Sequence, residues 1–145
     1  MNTYRLLTKS NIDGIVSAIL LKHLALIDDV TFVRESDMQE GKVATSLQDI
    51  TVNLPYTRGV HLAFDYHDSS KKDIIINEHH IFDTTFQSAS DVIYEHYHDR
   101  LKNNTALKEL VHLASNETNH TLTTKERMHV YTQYEKIFDK KPVEA

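Results

Sequence analysis

Aspartates, asparagines and histidines recur in this chain just past short apolar runs. "YRLLT" is followed by "KSNIDG", which brings Lys9, Ser10, Asn11 and Asp13. "VTFVR" leads to Glu35 and Asp37, and "DITVN" ends on Asn53. "VHLAFD" runs into "YHDSS" and sets Asp65, Tyr66, His67 and Asp68 in a row. Clustered carboxylates with an imidazole are donors that a hard divalent cation takes, and two such ions can brace both oxygens of a phosphoryl displacement. The same residues also have plain structural uses. Asp13 or Asn11 can cap a helix after a tight turn, and Asp65 with His67 can be a polar strand exit. "NEHHIFD" offers His79, His80 and Asp83 as a cluster, although the paired histidines read as a solvated loop. His96 and His98 stand two apart on a helical segment, face different ways and read as surface residues.

These residues need elements to position them. "YRLLT" (residues 4–8), "VTFVR" (30–34), "DITVN" (49–53), "VHLAFD" (60–65) and "DIIIN" (73–77) read as strands. From Ile15 to Leu26 the apolar residues fall at helical spacing in a stripe broad enough to be buried on most sides. Helices are predicted over 88–102, 105–114 with Thr105 as cap, and 124–138. Strand, helix, strand at the start implies a parallel pair with a right-handed crossover. The expected fold is α/β, an open, mostly parallel Rossmann-like sheet of about five strands flanked by helices, with a helical C-terminal portion. One domain is expected over residues 1–138, with a frayed tail at 139–145. In such sheets ligands gather beyond the carboxyl ends of the strands, where the polar groups above converge.

Bulk composition removes several alternatives. The net charge of −5 offers no broad basic face for nucleic acid, though a local Lys/Arg cluster can still hold a phosphate. There is no cysteine, so disulfides, thiolate nucleophiles and Cys-type zinc sites fall away. With three glycines, the chain has no Gly-rich phosphate loop. No apolar stretch is long enough to span a bilayer, and a cytoplasmic protein is expected.

Three segments, "LLTKSNIDGIVSAILLKHL", "NLPYTRGVHLAFDYHDSS" and "FDTTFQSASDVIYEHY", together resemble the N-terminal domain of the DHH phosphoesterase superfamily. The most similar group is its exopolyphosphatase-related proteins, which read T-R-S-D-F-D-G, N-L-P-Y, F-D-H-H-x-S-E and S-A-A-x-V-V-Y-E. The resemblance runs in order over residues 4–100. It implies manganese or magnesium held by aspartates and histidines, and water attack on a phosphorus ester. Asp13, Asp65, His67 and Asp83 then match retained metal ligands. Other positions depart from the pattern. Lys9 replaces a histidine (arginine in the most similar group). Asn11 replaces an aspartate, and Asn53 stands where active members have aspartate, although the most similar group also has asparagine there. Tyr66 replaces the middle histidine of D-H-H, and Ser70 the glutamate beyond it.

Each departure has a physical consequence. Asparagine keeps an oxygen but loses the charge. A lysine puts a cation where another must bind, and two like charges at ~4 Å repel by about 4 kcal/mol at an effective dielectric of 20. A tyrosine ionises near pH ~10 and is a poor ligand at neutrality. Family members also continue into a second, substrate-binding domain for which this sequence has no residues. The expectation is therefore a degenerate, truncated relative that works by binding a protein partner, itself, or a nucleotide or phosphate ligand. No cofactor is expected, with manganese or magnesium as the metal for any weak remnant site. No membrane and no extended nucleic-acid surface enter this reading. The rival is an active manganese- or magnesium-dependent phosphohydrolase with a rearranged site, acting on short oligonucleotides, cyclic dinucleotides or polyphosphate.

Overall fold

The first strand, β1 (Tyr4–Thr8), alternates its side chains between two cores. Leu6 faces a large apolar cluster, and Leu7 faces a small one formed with Met38 and Leu54. The computed structural model describes residues 3–55, 57, 59–66, 79–117 and 121–142. Helix α1 (Ile12–His23) follows β1 and is buried at every residue from Ile12 to Leu21, as its broad apolar stripe requires. It ends in a Schellman motif. Leu26 N–H reaches the Leu21 carbonyl, Ala25 N–H reaches the Lys22 carbonyl, and Ala25 takes the left-handed conformation at φ 59°. This early stop lets β2 (Ile27–Phe32) begin three residues before the predicted strand.

After β2 come α2 (Glu35–Gln39), β3 (Asp49–Val52), β4 (Leu62–Asp65) and β5 (His80–Phe82). All pairings are parallel, and the five-stranded order is β2-β1-β3-β4-β5. The α/β, Rossmann-like expectation therefore holds. Two expectations do not hold, and a third is untested. The stretch between the predicted strands at 30–34 and 49–53, read as a loop with Gly41, contains α2, whose Met38 closes the small core. The predicted strand at 73–77 lies outside the described residues. His80 is buried at the start of β5 rather than in a solvated loop.

The C-terminal half lays α3 (Ala89–His96), α4 (His98–Leu101), α5 (Thr105–Glu117) and α6 (Thr124–Phe138) in sequence. The single helix predicted over 88–102 is broken at Tyr97, whose ring packs near Phe64. Asn104, rather than Thr105, caps α5 through Leu107 N–H. A capping box between Thr123 and Glu126 opens α6, and Asp139 ends it in the left-handed region. Helices α3, α5 and α6 pack on α1 over one face of the sheet. That face carries the large core, with Leu6, Ile50, Val52 and Phe64 from the strands and Ile93, Leu110 and Tyr134 from the helices. Each fully buried side chain of this kind contributes roughly 1.5–3 kcal/mol. Among the described residues, no helix is long and apolar enough to cross a membrane.

The link between β1 and α1 is the tightest point in the chain. A Cβ placed on Gly14 would lie 2.0 Å from the Lys9 carbonyl oxygen and 2.9 Å from Thr8 Oγ1. Backbone cannot yield to that contact as a flexible side chain would. We predict that Gly14→Ala loses about 3 kcal/mol or more. Urea unfolding monitored by circular dichroism checks this; an unchanged midpoint would contradict it.

Candidate functional site

The carboxyl edge of the sheet collects the residues singled out from the sequence, and their roles divide sharply. Asn11 is the N-cap of α1, its Oδ1 accepting from Gly14 N–H at 2.8 Å. Asp13 is in the first turn of α1 and is buried. Its Oδ2 accepts from Asn53 Nδ2 at 2.6 Å and from Ala89 N–H at 2.9 Å. Its Oδ1 accepts from Ser90 N–H at 2.9 Å and from Ser90 Oγ at 2.6 Å. A carboxylate offers about four acceptor positions, and all are taken by protein donors. Two of them are backbone N–H groups at the start of α3, so the positive ends of α1 and α3 converge on one anion.

Asn53 suits this position twice over. It follows β3 in the left-handed conformation at φ 61°, which asparagine tolerates better than most residues. Its backbone N–H donates to the Phe64 carbonyl at 3.1 Å while its amide donates to Asp13. An aspartate here would instead set two carboxylate oxygens 2.6 Å apart. The amide Oδ1 of Asn53 is buried without a hydrogen-bond partner among the described residues.

Asp65 ends β4 and is buried; its Oδ1 accepts from Tyr66 N–H at 2.8 Å. Asp83 lies beside it past β5, with its N–H 3.3 Å from the Asp65 carbonyl. The Asp83 carboxylate turns onto Thr85, accepting from its hydroxyl at 2.6 Å and its N–H at 2.9 Å. The Thr85 hydroxyl, then the Thr85 N–H, hold the Asp83 carboxyl below its ordinary range. The half-buried Tyr66 packs against the large core. Lys9 Nζ stands 3.7 Å from Glu35 Oε1. His67 lies outside the described residues.

The tempting "NEHHIFD" cluster does not assemble. His79 Nδ1–H points to the His61 carbonyl at 2.9 Å, at the opposite, amino edge of the sheet. His61 stacks on Tyr4 with ring centroids 3.9 Å apart, and burial together with His79 lowers its pKa. Among the described residues, no three His, Asp or Glu side chains come together to hold a metal ion. Among the described donors, Asp13 is saturated, Asn11 is spent on a cap, and Lys9 brings a positive charge. Ala89 and Ser90 escaped the sequence reading. Ser88 caps α3, which leaves the Ser90 hydroxyl for Asp13.

No family model matches the chain, and no curated protein matches it significantly. Among solved structures, the chain is similar to the pGpG-specific phosphodiesterase PggH from Vibrio cholerae. Identity is 38%, the TM-score is 0.72, and the match covers 86% of this chain. It covers 40% of that protein's length. This likeness supports a DHH-type, phosphoesterase-like domain and does not reach the exopolyphosphatase-related detail.

Two predictions follow from the geometry. Asn53→Asp should cost about 3 kcal/mol at neutral pH, because like charges sharing a buried site cannot both ionise. One carboxyl of the new pair then has a raised folded pKa. The deficit is smallest below the ordinary Asp value of ~3.9 and grows as pH rises through the raised value. Urea unfolding at pH 4 and pH 7 reads this, and equal losses at both would contradict it. Asp83 has the opposite sign: its depressed pKa gives stability present above the ordinary value of 3.8 and lost as pH falls through the lowered one. Carboxyl NMR titration should show the Asp83 pKa rising in Thr85→Val; an unmoved midpoint would rule out the Thr85 hydroxyl as the main cause.

Proposed function

We propose that this chain is a degenerate DHH-type phosphoesterase domain that works by binding rather than by turnover. One observation carries the reading: the Asp13 carboxylate, the clearest retained ligand of the motif, has all its acceptor positions filled by Asn53, Ala89 and Ser90. Lys9, Asn11 and Tyr66 point the same way, each holding a structural contact where the family pattern places a metal donor. The neighbour's stated substrate favours a guanine dinucleotide as the ligand class over polyphosphate. A protein partner or a second copy of the chain would then read the occupied or empty state.

The pure protein, mixed with pGpG and manganese or magnesium, is expected to release no product above the blank. Manganese is expected to leave its melting temperature unchanged. The combined variant Lys9→His, Asn11→Asp, Tyr66→His is expected to gain a shift of several degrees with manganese. Saturation at about 100 times the dissociation constant adds ~2.7 kcal/mol to the folded state. Metal-dependent release of product by the unaltered protein would overturn the proposal.

A further inference from the structure

Beside the β1–α1 loop, between α1 and α6, lies a cleft of about 480 Å³. Clefts of roughly 300–1,000 Å³ are the size that holds small ligands. Apart from Ser10 and Ile15, its walls come from residues outside the metal motifs. Ile15 and Pro142 give apolar surface, and Met128 is 55% exposed there, an unusual place for an unbranched apolar side chain. Met128, Tyr131 and Glu135 follow at i, i+3 and i+7, so one face of α6 lines the cleft. Ser10 of the β1–α1 loop closes one end, and Lys141 reaches in beyond α6. Neither Glu135 nor Lys141 makes an ion pair or side-chain hydrogen bond with any described residue. An acid and a base thus line one apolar-walled cleft, both with their hydrogen-bonding capacity unspent.

We propose that this cleft binds a guanine nucleotide, base against Tyr131 and Met128, base edge to Glu135, and phosphate to Lys141. This rests on the nucleotide-binding reading above and names where the nucleotide sits. The chemistry selects the ligand. A flat base stacks on a tyrosine ring, and a polarizable methionine adapts to its face. Guanine carries two adjacent donors, the ring N1–H and the exocyclic amine, which match the two oxygens of a carboxylate. Adenine sets a ring acceptor beside its amine and would meet Glu135 with repulsion. A lysine on a flexible stem supplies a point charge to a phosphate without fixing its geometry.

Calorimetric titration of the full chain with GMP, AMP and guanosine, without metal, tests the assignment. GMP should bind at least about tenfold tighter than AMP. Glu135→Gln should erase that preference, and Lys141→Ala should weaken GMP without weakening guanosine. Both side chains have no partners to lose, so the variants should melt as the unaltered protein does. GMP shifts in the NMR spectrum should centre on Met128, Tyr131 and Glu135. Absent binding, equal affinity for GMP and AMP, or shifts centred elsewhere would overturn the site. The titration needs no turnover, so product release from pGpG would sink the inactive-domain reading and leave this result standing.

Discussion

A single buried carboxylate holds the carboxyl edge of the sheet together. Asp13 sits in the first turn of α1 and accepts from the first turn of α3 and from the residue that ends β3. A buried charge without donors costs several kcal/mol, so it is tolerated only where hydrogen bonds replace water. Here two helix starts, a hydroxyl and an amide supply them. The elements so joined are far apart in the chain, with Ser90 lying 77 residues from Asp13. Remove the carboxylate, and the N–H groups opening α3 lose their partner beside a buried Asn53.

This arrangement leads directly to the functional reading. A metal-holding carboxylate must keep lone pairs for the ion, whereas one that bolts two helices to a strand has none to spare. The substitutions around it agree with that use. Asn53 donates where an aspartate would repel, and Asn11 caps α1 through the same oxygen that a ligand would need. Gly14 lets the loop fold onto the helix so closely that no side chain fits, which brings Asp13 to the edge. The likeness to a pGpG-specific phosphodiesterase lies in the fold that supports this edge.

Much of the fold was legible because its signals are local. The buried stripe of α1, the β-rich runs of β1, β3 and β4, and the helical run of α6 depend on neighbours in sequence. What was hidden depends on tertiary contacts. The break at Tyr97 comes with a ring packed near Phe64, and the short α2 exists to bring Met38 under Leu7. His80 looked solvated in a polar run, yet it opens the edge strand β5 and is buried. The site shows the same division. Asp13, Asn53 and Asp65 were recognisable as a polar edge, but no periodicity reveals that Ala89 and Ser90 turn their donors toward Asp13.

The central claim is that protein donors, not a cation, satisfy Asp13. Manganese is paramagnetic and broadens the amide signals of nuclei near it, so the Ala89 and Ser90 resonances report directly on that carboxylate. The account predicts that both signals stay sharp and remain protected from hydrogen exchange through a manganese titration. Selective broadening of Ala89 and Ser90, with loss of their protection, would contradict it.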